Sequence, residues 1–67
     1  MEIKKQFGKK VKALRLSKNL SQEKLALEAG LDRTYIPSIE RGERNVSIEV
    51  IFKLAKALDI PVIDFFK

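Results

Sequence analysis

One stretch constrains this chain more than any other: Gln22 to Arg41, QEKLALEAGLDRTYIPSIER. Leu25, Ala26 and Ala29 form an apolar stripe at helical spacing, and Ile36 and Ile39 form another beyond Gly30. The spacing predicts a helix over 22–29, a tight turn, and a second helix over 33–41. Ser21 is a good N-cap for the first helix, and Glu23 suits its first turn. Gly30 supplies the turn at little steric cost, Asp32 is the next N-cap, and Gly42 is a natural stop. On a wheel of about 100° per residue, Tyr35, Ile36 and Ile39 share one side of the second helix. Arg33, Thr34, Pro37, Ser38 and Arg41 share the other, with Glu40 at the margin. The outward face therefore offers donors and a basic end with almost no acid.

The flanking chain reads as a frame for that pair. Ile3, Phe7, Val11 and Leu14 recur at four, four and three residues, which predicts a helix over about 2–18. Asn19 is a plausible left-handed residue to end it, and Leu20 then turns back onto the core. After a polar loop, Ser47 caps a helix over 48–58, with Ile48, Ile51, Leu54, Ala55 and Leu58 as its core stripe and Val46 stapled against Ile51. Asp59-Ile60-Pro61 breaks it, and Pro61 suits the first turn of a last helix over 61–66. Strand alternation and hairpin dipeptides are absent. The expected fold is all-α: one domain, 1–67, a compact bundle of five short helices.

A chain of 67 residues has a small core and needs efficient packing or oligomerisation. It contains neither Cys nor His, so neither a disulfide nor a metal site is expected, and no cofactor either. Its glycines are isolated, and Ser21 and Ser47 sit at caps with no candidate base nearby in sequence, which argues against a phosphate loop or a nucleophile, and so against an enzyme. The net charge of +5 includes a concentration of lysines over residues 1–18 opposed by Glu2 alone. That balance suits an anionic partner, nucleic acid or an acidic membrane surface; the bland alternative is a solvated lysine face. No apolar run approaches the roughly 18 residues of a membrane span, and no secretory signal is visible, so a cytoplasmic protein is expected.

Leu25, Ala26, Gly30, Ile36 and Ile39 carry a resemblance: the chain is similar to the Cro and lambda-repressor-like (XRE) regulators over essentially its whole length. Within them, LDRTYI followed by IERGERN resembles the controller proteins of bacterial restriction–modification systems. The resemblance implies a lambda-repressor-like DNA-binding fold and a sequence-specific regulator of transcription. It implies that Gln22 anchors on phosphate, and that Arg33, Thr34 and Ser38 face base edges with Tyr35 at the rim. It also implies that Arg44 and Asn45 grip phosphate with Arg41 nearby, and that Arg15 and Glu40 pair as scaffold. Pro37 departs from the family phrase, which usually has serine there; inside a 33–41 helix it removes an N–H and crowds the Arg33 carbonyl. Arg33 in that helix's first turn would also oppose the dipole.

One short helix cannot read a long site, and helix-turn-helix proteins usually bind as dimers, with half-sites about 34 Å apart. With Ile60, Val62 and Phe65 assigned to the core, Ile63 and Phe66 remain apolar and uncovered, and Val50 adds to them. These residues are the expected homodimer interface. The expected partners are a double-stranded palindromic operator, a second copy, and RNA polymerase as a further candidate, with no membrane and no small-molecule ligand. The alternative is an antitoxin-type or other protein-interaction module on the same scaffold.

Overall fold

The computed structural model describes residues 2–67. It contains four α-helices, α1 (Ile3–Ser17), α2 (Gln22–Ala29), α3 (Tyr35–Glu40) and α4 (Ile48–Leu58), and a closing 3-10 helix, Val62–Phe66. No strand occurs among the described residues.

Local chemistry sets the boundaries. The Ser21 hydroxyl accepts from the Lys24 N–H at 3.0 Å, and the Ser47 hydroxyl accepts from the Val50 N–H at 3.1 Å. All four α-helices close in the same way. A left-handed residue follows each: Asn19 (φ 59°), Gly30 (71°), Gly42 (76°) and Asp59 (57°). The next N–H then reaches back to the helix: Leu20 to the Arg15 carbonyl, Leu31 to Ala26, Glu43 to Ser38 and Ile60 to Ala55, at 2.8–3.1 Å. This Schellman arrangement satisfies carbonyls that a helix end leaves open. It also folds Leu20, Leu31 and Ile60 back against the core, where each is partly buried.

The core is one cluster: Phe7 and Val11 from α1, Leu25, Ala26 and Ala29 from α2, Ile36 and Ile39 from α3, Leu54, Ala55 and Leu58 from α4, and Phe65. Each fully buried aliphatic chain contributes about 1.5–3 kcal/mol relative to exposure. Helix α1 crosses α3 at Gly8, where the two backbones touch. A Cβ there would run into the Ile39 carbonyl oxygen and lie 3.0 Å from that of Glu40. α3 is therefore seated directly on α1.

Three expectations need correction. The fifth helix is not α: Asp64 N–H bonds the Pro61 carbonyl three residues back at 3.0 Å, the tighter 3-10 pattern that short connecting pieces of chain adopt. Ile48 is not core: it is the first residue of α4 and stands 72% exposed, because the apolar stripe runs past the end of the packing surface. Ile3, at the other stripe's end, is 45% exposed for the same reason. Helix α3 spans 35–40, not 33–41, and that difference shapes the site.

Candidate nucleic-acid interface

Asp32 does not cap α3 directly. Its Oδ1 accepts from the Thr34 N–H at 2.9 Å and from the Thr34 hydroxyl at 2.7 Å, while its carbonyl accepts from the Tyr35 N–H at 3.0 Å. This side-chain turn holds Arg33 and Thr34 ahead of the helix. Pro37 then becomes the third helical residue, where an N–H has no partner within the helix. No backbone bond is lost, and the expected collision with the Arg33 carbonyl does not arise within a helix. Arg33 stands ahead of α3, with its guanidinium in water beside the Glu23 carboxylate. The hydroxyl and N–H of Thr34, in that order, hold the Asp32 carboxyl below its ordinary pKa, with the charges of Arg33 and Arg44 adding to this.

On the outer side, Arg33 and Thr34 are exposed, and with Ser21, Gln22, Glu23 and Pro37 they line an open groove between α2 and α3. Arg33 reaches the Glu23 carboxylate at 3.6 Å, with both side chains largely in water. The N-terminus of α2 borders the same groove. Its free N–H groups and the Gln22 side chain offer donors suited to an anion.

On the inner side, Glu40 is fully engaged. Arg15 grips it with two bonds, Nε at 2.7 Å and Nη2 at 3.1 Å, and Gln22 Nε2 donates to the same carboxylate at 3.0 Å. Arg15 Nη1 also bonds the Leu20 carbonyl at 2.8 Å. One carboxylate thus ties α1, the start of α2 and α3 together. Gln22, expected at phosphate, has one of its donors spent inside the protein.

Beyond α3, Arg44 folds back. Its guanidinium carbon lies 4.1 Å over the Tyr35 ring, and its Nε donates to the Ser38 hydroxyl at 2.9 Å. Arg41 instead pairs with Glu43 at 3.1 Å, both exposed, and Asn45 is exposed. Six of the expected contact residues therefore fall into two groups, Gln22 with Arg33 and Thr34 at the groove, and Tyr35 with Ser38 and Arg44 behind it, while Arg41 and Asn45 stand apart from both. Among the contacts the sequence does not announce are Glu23 beside Arg33, the Asp32–Thr34 turn, and the Arg44–Tyr35 stack. The second had a local signal, Asp two residues before Thr, but the stack joins residues across a helix end and leaves no periodicity.

The expected dimer residues differ in exposure. Ile63 is 59% exposed; Phe66 is 50% exposed although its ring stacks on Phe7 at 6.0 Å; Val50 is only partly exposed and packs on the core. Phe52, 60% exposed on the same side of α4 as Ile48, is a further uncovered apolar residue. A cleft shared by Arg44, Asn45, Lys4 and Phe66 places the loop after α3 beside the closing helix. Among the described residues no acidic cluster suits a metal, and no helix is long and apolar enough to cross a membrane.

Comparison with known proteins agrees on what this arrangement is. A family model described as helix-turn-helix matches residues 11–65. The chain is 62% identical over 55 residues to control protein C.BamHI of Bacillus amyloliquefaciens, covering 81% of this chain and 68% of that protein. The crystal structure of the restriction–modification controller protein C.AhdI from Aeromonas hydrophila matches with a TM-score of 0.95 at 48% identity, over 98% of this chain and 100% of that one. The controller protein C.Esp1396I, solved as a tetramer in complex with its natural 35 base-pair operator, matches with a TM-score of 0.90 at 36% identity, over 98% and 87%. A groove-edged two-helix unit seated on α1, shared at these identities, makes this chain a member of the helix-turn-helix family, in its group of restriction–modification control proteins.

Proposed function

We propose that this chain is a transcriptional regulator, not an enzyme, that binds a short palindromic operator as a homodimer and controls a restriction–modification system from the cytoplasm. The observation that carries the reading is the exposed Arg33–Thr34 turn at the head of α3, standing beside the open N-terminus of α2. Arg33 and Thr34 enter the major groove and meet base edges, with Tyr35 at the rim. The α2 N-terminus and Gln22 meet a phosphate on one flank, and Arg41, Arg44 and Asn45 meet the backbone on the other. Ile63 and Phe66, with Val50 beneath, cover one another across a two-fold axis, which sets the two reading turns about one helical repeat apart. The operator complex of C.Esp1396I supports both the DNA partner and the multimeric state. RNA polymerase is a further partner where the operator adjoins a promoter.

The test is a binding isotherm on duplexes carrying the palindromes that flank the gene, at rising salt, for the parent, Arg33→Ala and Ile63→Glu. Expected for the parent is a steep fall in affinity with salt and a retained preference for one sequence. Arg33→Ala loses about 1–3 kcal/mol of discrimination at one position per half-site. Ile63→Glu sediments as a monomer and binds far more weakly. Binding that shows no sequence preference at any salt concentration sinks the reading.

A further inference from the structure

We propose that Ser38 is a positioning residue for Arg44 rather than a reader of bases, so that Ser38, Tyr35 and Arg44 act on DNA as one unit. This rests on the DNA-binding reading above and refines it at the middle of α3.

Serine has one proton to give and two lone pairs. The Ser38 proton is directed into its own helix, toward the Tyr35 carbonyl at 2.9 Å, with the Thr34 carbonyl at 3.2 Å as the second acceptor. One lone pair is taken by Arg44 Nε at 2.9 Å. Reading an acceptor on a base would break the bond to the helix, and the side chain is already half-buried. Arg44 gains what Ser38 gives up. A free arginine is a long side chain with many rotamers. Here its plane is fixed twice, by the tyrosine face beneath it and by the serine oxygen at Nε. Its remaining N–H groups, on Nη1 and Nη2, have no acceptor among the described residues. That fork is the part of the guanidinium that grips a phosphate or a guanine edge in two bonds. Ordering it before the encounter removes an entropy loss from the binding step. The serine therefore contributes to affinity through the arginine it holds.

The experiment is a double-mutant cycle on the full chain. A random-sequence duplex library first gives the site that the parent selects. Affinities for that duplex are then measured for the parent, S38A, R44A and S38A/R44A, with S38T as the variant that keeps a hydroxyl. Expected is an about 3- to 10-fold loss for S38A in the parent background, the range of one hydrogen bond, and less than about 2-fold when Arg44 is already alanine. S38A shifts the same readout as R44A: the same base position if the fork meets a base, or the same reduction in salt slope if it meets a phosphate. S38T restores most of the affinity, and melting temperatures of parent, S38A and S38T agree. A loss from S38A that is equal in both backgrounds, at a base position R44A leaves untouched, makes Ser38 a reader and overturns the proposal. So does S38A without effect in the parent. A parent that binds no duplex overturns the DNA reading and the coupling with it, whereas independent effects on a bound duplex overturn the coupling alone.

Discussion

Two arginine–glutamate pairs lie on opposite sides of the helix-turn-helix, and they are made of the same groups. Arg15 and Glu40, on the inner side, have side chains 8% and 5% exposed and meet through two bonds, the shorter 2.7 Å. Arg33 and Glu23, on the outer side, are 77% and 75% exposed and meet once at 3.6 Å. An exposed pair is worth about 0–1 kcal/mol, because water and salt replace either partner. A buried pair is not replaceable: removing one partner leaves a desolvated charge and costs about 3–5 kcal/mol. Burial alone thus makes one pair scaffold and the other exchangeable. Arg33 can leave Glu23 for a phosphate or a base at little cost, while Glu40 holds fixed the frame from which Arg33 reaches.

Glu40→Ala is expected to lose about 3–5 kcal/mol, a large share of the roughly 3–10 kcal/mol available to a chain this size, and to melt far below the parent. Replacing both charges, Arg15→Met with Glu40→Leu, is expected to recover most of that loss, since no buried charge is then stranded. Circular-dichroism melts check both. A Glu40→Ala protein that melts like the parent yet binds no DNA would move the inner pair into the interface and remove the distinction.

Gly8 sharpens the inner half by setting two effects against each other. Alanine in a helix interior is favoured over glycine by about 0.5–1 kcal/mol. Against that, an added methyl at position 8 strikes the Ile39 and Glu40 carbonyls, backbone atoms that cannot swing aside. Overpacking of this kind costs about 1–3 kcal/mol, so Gly8→Ala is expected to be net destabilising by about 0.5–2 kcal/mol in a denaturant titration. A net gain in stability would show that α1 and α3 can separate slightly, and that the seat of the reading helix is less rigid than Glu40 implies.

The division between legible and illegible features follows the same line. Caps and stops were readable because each is decided within a few residues: Ser21 and Ser47 at starts, Asn19, Gly30 and Gly42 at ends. At the start of α3 two local signals compete. Asp32 can cap a helix or close a turn on Thr34, and a helix that begins no earlier than Tyr35 places Pro37 where no backbone bond is lost. The role of Gly8 was invisible, since its reason lies some thirty residues away at Ile39. The periodicity of α4 is legible, but periodicity does not say where the opposing surface ends, and Ile48 lies beyond that end. At the candidate site, residue types on the outward face were legible from the wheel. The contacts among them, Arg44 over Tyr35 above all, depend on how the chain leaves α3 and were not.

The smallest expected effect lies at the tip of the outer face, and it decides how free Thr34 is. The Thr34 hydroxyl, then its N–H, holds the Asp32 carboxyl below the ordinary aspartate pKa. The lowered group is the native one, so its contribution to stability is present above the unfolded value of about 3.9 and is lost as pH falls through the depressed native value. Near neutral pH the turn is fully ionised and set. Thr34→Ala removes the larger cause and leaves the backbone N–H, so the Asp32 midpoint is expected to move up toward the ordinary value without reaching it. Carboxyl chemical shifts followed through an acid titration measure this directly. Because Asp32 stays charged at neutral pH in both proteins, a weaker grip of Thr34→Ala on DNA there cannot come from a change in charge at Asp32. It comes from the threonine itself or from a loosened turn. If the Asp32 midpoint does not move in Thr34→Ala, the hydroxyl is not committed to the turn, and Thr34 joins Arg33 as a side chain that DNA can take over freely.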